Sequence, residues 1–224
     1  MESCGSKKRS NPSERVKNTN SEGLESMKKN SQYLASTTMG KVLFGETPYG
    51  NSMNKKNLKK IKLKDIQEFY NTYSPNISEL VAVGNISKDE FYSHLDFLKK
   101  WENKNINLPS NFKFPADNTT QIYLLDKEGA SQSYIMMGHK SNNYDVDGEF
   151  FKSQIMNKSL GGGASGRLFL NLREDKGYTY GAYSFFMGEK QTGMFGIQTS
   201  VKTEVTDSAL AEIFSILDNY TNTG

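Results

Sequence analysis

The sequence predicts an α+β fold: an antiparallel or mixed sheet with helices on one face. Two observations carry this. After residue 119, strand-like runs come in pairs separated by helical patterns. In the last such run, Phe195, Ile197 and Val201 share one face by parity, as a half-buried strand requires. With 224 residues, 35% apolar and 24% charged, the chain is long enough for one large domain or two small ones with real cores.

Residues 1–12 are polar and read as a loose tail, with a basic cluster at Lys7 to Arg9 and order expected from about Ser13. From Glu22 to Phe44, Leu24, Met27, Leu34, Met39, Val42 and Leu43 recur at roughly helical spacing, with Gly45 as the stop. "ETPYGN" is a turn, and "LKDIQEFYNTY" is a helix from Leu63 to Tyr73 that Ser74-Pro75 ends. "ELVAVG", Glu79 to Gly84, suits a buried strand. Ser87 and Glu90 have capping-box spacing and open a helix expected to reach Lys100. Residues 103–119, rich in Asn and holding Pro109 and Pro115, lack any period and read as a linker.

Beyond the linker, "QIYLLD" and "SQSYIMMGH" read as strands and "EFFKSQIMNKSL" as a helix. Then comes "LGGGASGRLFLNLREDKGYTYGAYS", followed by a strand at "GMFGIQTSV" and a helix from Asp207 to Tyr220.

Several function classes are disfavoured by composition. The 28 Lys and Arg against 25 Asp and Glu are scattered, so no field points to nucleic acid. No window approaches the about eighteen apolar residues of a membrane span, and the expectation is a soluble chain. A single cysteine, Cys4, excludes an internal disulfide and a cysteine-based zinc site.

The glycine stretch admits two readings. Gly161-Gly162-Gly163 before a helix could cradle a phosphate on exposed N–H groups, but "ASGR" stands where a P-loop needs its Lys-Ser/Thr pair, and a helix precedes where a dinucleotide fingerprint needs a strand. Alternatively, the glycines end one helix and fold the chain back, using residues that tolerate positive φ. In the helix that follows, Leu168, Phe169 and Leu172 face the core and Arg173 lies at its border. Tyr180 falls seven residues on, early in the next strand, so the "EDKG" turn brings Arg173 and Tyr180 to one spot. Such a pair is either a structural contact or a site.

These residues resemble the second αβ domain of the insulinase-like M16 metallopeptidases, the group of pitrilysin, insulin-degrading enzyme and the mitochondrial processing peptidases. The resemblance extends to "GASQSYIMMGHK", to "FYNTYSPNISELVAVGNISKDE" and to "LFGETPYG", and covers about Ser13 to Tyr220. It implies two M16-type αβ domains: residues 1–102 as the end of an incomplete first domain, 103–119 as the linker, and 120–224 as a C-terminally truncated second domain. In that family an inverted zinc motif, His-x-x-Glu-His, holds a catalytic zinc with a more distant Glu as third ligand. The motif is missing from this sequence. Its two histidines, His94 on a solvated helix face and His139 at a strand end, lack the required partners, and the distant ligand's place falls on Gly23, with Glu22 one residue away.

The resemblance therefore implies no metal ligand here, with zinc on a zinc-bearing M16 partner chain or a missing segment. Arg173 would bind a substrate carbonyl and Tyr180 would donate to the oxyanion. Tyr178, placed on the same face by parity, reads as packing, and the glycine run as a secondary peptide contact. Such a chain is not expected to hydrolyse peptides alone. The alternative is a non-catalytic scaffold of the same fold. The resemblance favours a bacterial periplasm or cell envelope.

Overall fold

The computed structural model describes residues 11–116 and 119–223. Most of the tail read at 1–12, with Cys4 and the basic cluster, therefore lies outside the described residues. The helices are α1 (Pro12–Met27), α2 (Ser31–Phe44), α3 (Lys55–Lys60), α4 (Leu63–Tyr70), α5 (Lys88–Ser93), α6 (Glu149–Leu160), α7 (Arg167–Phe169) and α8 (Thr206–Thr223), and the strands are β1 (Gln132–Ser141), β2 (Thr179–Gly188) and β3 (Gly193–Lys202). The chain forms two compact units, Met1–Glu22 with Met53–Asn111, and Gly23–Ser52 with Phe112–Gly224. The partition assigns residues 23–52 to the same unit as the later part of the chain, whereas the sequence groups them with the first domain.

In the larger unit the strands make an antiparallel sheet in the order β1-β3-β2. Its core face carries Ile135, Ala182, Phe195, Ile197 and Val201, as parity predicts for β3. Leu160 of α6, Leu168 of α7, Leu172, and Ala209, Ile213 and Ile216 of α8 cover that face. This is the α+β layer the sequence predicts. The expected helix over 22–44 is divided instead, because Asn30 accepts the Tyr33 N–H at 3.0 Å and caps a new helix, α2. Gly45, at φ 62°, ends α2 as expected. Beyond β1, Asp145 receives the N–H groups of Gly148, Phe150 and Phe151 and so caps α6 from outside its own first turn.

The smaller unit differs most from expectation. The run Glu79–Gly84 is not a strand, and Val83 is 95% exposed. The same holds for "QIYLLD" in the larger unit, where Ile122 is 94% exposed. Both runs have strand composition, but a strand exists only where another strand takes its N–H and C=O groups, and none among the described residues does so. The helix expected to reach Lys100 stops at Ser93 and resumes as a 3₁₀ turn at Asp96–Lys100. On α4 no residue is buried, so Leu63, Ile66, Phe69 and Tyr70 all lie in solvent.

Residues 103–119 have no regular structure over their described part, yet they are anchored. In the smaller unit, Asn76 grips Ile106 at two points, donating to its carbonyl at 2.7 Å and accepting its N–H at 3.2 Å. The fully buried Ser74 takes the Lys104 N–H at 2.9 Å. In the larger unit, Phe112 and Phe114 join Phe44 and Tyr49 in an aromatic cluster, with ring centroids 5.8 to 6.2 Å apart.

Candidate functional site

The glycine stretch is occupied by the fold itself. Buried Asn157, near the end of α6, donates to Ser184 O at 2.8 Å and accepts from Ser184 Oγ at 2.5 Å, while the Ser184 N–H reaches Gly161 O at 2.9 Å. A side chain at Gly161 would come within 2.6 Å of the Ser184 nitrogen. The N–H groups of Gly161 and Gly162 both go to Asn157 O and that of Gly166 to Gly163 O, so these donors are already used and no phosphate cradle is formed from them. The fold-back reading holds, with its cause corrected. Positive φ is not needed, since Gly161 has φ −164°; what is needed is room for β2 to touch the helix end.

From there α7 makes one turn and gives way to a π-helical turn, Leu170–Asp175, in which the Lys176 N–H reaches back five residues to Asn171 O. Leu168, Phe169 and Leu172 are buried, as expected. Arg173 projects from the π turn with its guanidinium carbon 5.1 Å over the Phe169 ring and its Nε 3.7 Å from Glu174. Its side chain remains 44% exposed. The Phe169 ring in turn lies 5.8 Å from that of Tyr183, so the guanidinium caps a short aromatic stack. Gly177, at φ 64°, turns the chain into β2.

Tyr180 lies near the start of β2 and is 88% exposed, and among the described residues its hydroxyl has no hydrogen-bond partner. Tyr178, which precedes β2, packs on the core, so the two tyrosines do not share a face, and along β2 itself the register shift between Thr179 and Ala182 breaks the alternation at Tyr180. Arg173 and Tyr180 are thus both presented to solvent from the two sides of one tight turn, though no hydrogen bond or cation–π contact joins them. Sequence reasoning did not single out Phe169 and Tyr183 as the support under Arg173, although "F" four residues before "R" is the helical spacing that produces it.

The π turn is tied to α8 by Glu212, which accepts Lys176 Nζ at 2.8 Å and Asn171 Nδ2 at 2.9 Å. The Lys176 ammonium, and then the Asn171 amide, hold the Glu212 carboxyl below the ordinary glutamate range, and the same bond raises Lys176.

Zinc does not fit the described residues. Among them no group of His, Cys, Asp and Glu side chains is placed to hold a metal ion. His94 is exposed at the end of α5, and His139 is exposed on β1 with Nδ1 2.8 Å from Lys140 O. Glu22 is exposed on α1, and a side chain at Gly23 would meet nothing within 4 Å. No helix among the described residues is long and apolar enough to cross a membrane.

The fold and site define an α+β sheet-and-helix domain that presents a guanidinium and a phenol beside one turn. The model of the peptidase M16 inactive domain matches residues 60–224, and the chain belongs to that family. It is 27% identical over 214 residues to a "non-peptidase homolog" of Helicobacter pylori, the match covering 90% of this chain and 48% of that protein. It is 28% identical over 132 residues to an "uncharacterized zinc protease" of Bacillus subtilis, covering 58% of this chain and 31% of that protein. Among solved structures it is similar to a peptidase M16 inactive domain from Pseudomonas fluorescens, with TM-score 0.86 and 25% identity over 95% of this chain and 52% of that one. The chain therefore spans about half the length, or less, of these relatives.

Proposed function

We propose that this chain is the non-zinc portion of an M16 metalloendopeptidase, supplying Arg173 and Tyr180 to a peptide held at a zinc centre on a partner chain or on a segment outside this sequence. The observation that carries this reading is the exposure of both groups: the Tyr180 phenol is 88% exposed and unpartnered, and Arg173 rests on an aromatic ring instead of being consumed in a buried ion pair. A guanidinium fork suits a substrate backbone carbonyl. A phenol aimed where negative charge develops supports the transition state of acyl transfer. The chain would be inactive alone.

The smaller unit supports a partnered existence independently. The α4 stripe and the run Leu80 to Val83 expose large apolar side chains that a soluble monomer rarely leaves uncovered. The first domain is accordingly proposed to be incomplete as it stands, and the partner to be a zinc-bearing M16 chain or domain.

A second reading, a non-catalytic scaffold, is favoured by the family's description as an inactive domain and by the "non-peptidase" name of the Helicobacter pylori relative. Mixing this chain with a zinc-bearing M16 chain and a quenched fluorogenic unstructured peptide separates the two. Under the peptidase reading, Tyr180→Phe lowers the stimulated cleavage by about a hundredfold, the scale of one lost oxyanion donor. Equal stimulation by wild type and Tyr180→Phe leaves the scaffold.

A further inference from the structure

Tyr180 stands where the β2–β3 ladder loses step. Thr179 faces Val201 and Ala182 faces Thr199, so Tyr180 and Gly181 together oppose Ser200 alone. This two-against-one pairing is a β-bulge, a device that re-aims a side chain and recurs beside active sites. Its Gly181 peptide group is held by two hydroxyls. The Gly181 N–H donates to Thr179 Oγ1 at 3.1 Å, and Gly181 O accepts from Thr199 Oγ1 at 3.0 Å. Thr179 spends its own proton on Ser200 O across the strand pair, at 2.8 Å. Thr179 Oγ1 also lies 3.0 Å from Gly181 O and 3.0 Å from Thr199 Oγ1, and the assignment in which Thr179 serves Ser200 O and Thr199 serves Gly181 O uses each hydroxyl proton once. Thr199 is buried, so its bond is shielded from competing water. The Tyr183 ring closes the bulge from the side, 2.7 Å from where a Gly181 side chain would begin.

We infer that Thr179 and Thr199 are positioning residues for Tyr180, locking the bulge that turns its phenol outward at the candidate site. The inference rests on the proposed role of Tyr180 and adds two residues that touch no substrate. Threonine is common in strands for its branched shape alone. That bland role is served equally well by valine, whereas the lock requires the hydroxyl.

The test uses Thr179→Val, Thr199→Val and the matching serine variants, with two readouts. The first is amide exchange at Gly181, with Ile213 in the core as the reference. Each valine variant is expected to speed Gly181 exchange about fivefold, the factor for one net hydrogen bond, while Ile213 is unchanged and serine restores the wild-type rate. The second is peptide cleavage with the zinc-bearing chain, which the valine variants lower and the serine variants restore. Unchanged Gly181 exchange in both valine variants overturns the inference. So does faster exchange with unaltered cleavage in a pair that does respond to Tyr180→Phe. A pair indifferent to Tyr180→Phe removes the proposed function instead, and Gly181 exchange still decides whether the threonines hold the bulge.

Discussion

Replacing Gly161 by alanine would place a methyl group 2.5 Å from Ser184 Oγ, 2.6 Å from Ser184 N and 2.7 Å from Leu168 Cδ1. The hydroxyl and the leucine could rotate. The nitrogen cannot, because it belongs to β2 and its N–H is bonded to Gly161 O at 2.9 Å. Either the strand retreats from the helix end or that bond breaks. Overpacking of a closed interior costs about 1–3 kcal/mol, and a lost hydrogen bond adds about 1, so the total is about 2–4 kcal/mol. For a domain of this size that lowers Tm by about 5–15 °C, measured by circular dichroism. Gly163→Ala is the matched control, since a side chain there meets nothing within 4 Å. Equal Tm values for the two variants would refute the claim that Gly161 exists for close approach.

Other outcomes follow from named contacts. Asn76→Ala removes both bonds to Ile106, and exchange of the Ile106 amide should rise at least about fivefold while core amides of the larger unit stay protected. Partial burial pushes the Asp145 carboxyl up, but the N–H groups of Phe150, Gly148 and Phe151 outweigh it, so the group ends below the ordinary aspartate range. A depressed carboxyl stabilises fully above its unfolded value and stops doing so as pH falls through the folded one. Stability should therefore decline from about pH 4 downward, and less steeply in Asp145→Asn. Glu212 behaves alike on the acid side; the raised Lys176 keeps its contribution below its unfolded value and loses it as alkali passes through the folded one. Phe69→Ser on exposed α4 should leave the Tm of the isolated chain unchanged, and a fall of more than a few degrees would mean that face is covered.

How much was legible in the sequence depended on how local each cause is. The bounds of α6 follow from its own spacing, and the sheet face of β3 from parity, and both match. The break between α1 and α2 rests on Asn30, a capping residue visible in the sequence but outweighed there by the apolar spacing around it. The runs Glu79–Gly84 and Gln121–Asp126 carry strand composition, yet pairing is a property of two segments, and no sequence pattern within one reveals that the other is missing. That Arg173 and Tyr180 flank one turn was legible in their spacing, and the resemblance supplied the roles proposed for them. Their supports were not: the bulge depends on Thr199, far along the chain, and the π turn has no side-chain period that separates it from an ordinary helix.

Arg173 and Tyr180 are proposed to act on a peptide at a zinc centre on a partner chain or on a segment outside this sequence. Steady-state kinetics of the reconstituted pair test this most directly. Tyr180→Phe is expected to lower kcat with KM nearly held, and Arg173→Ala chiefly to raise KM, because one group acts in the transition state and the other on the bound backbone. Kinetic constants indistinguishable from wild type in both variants would contradict it.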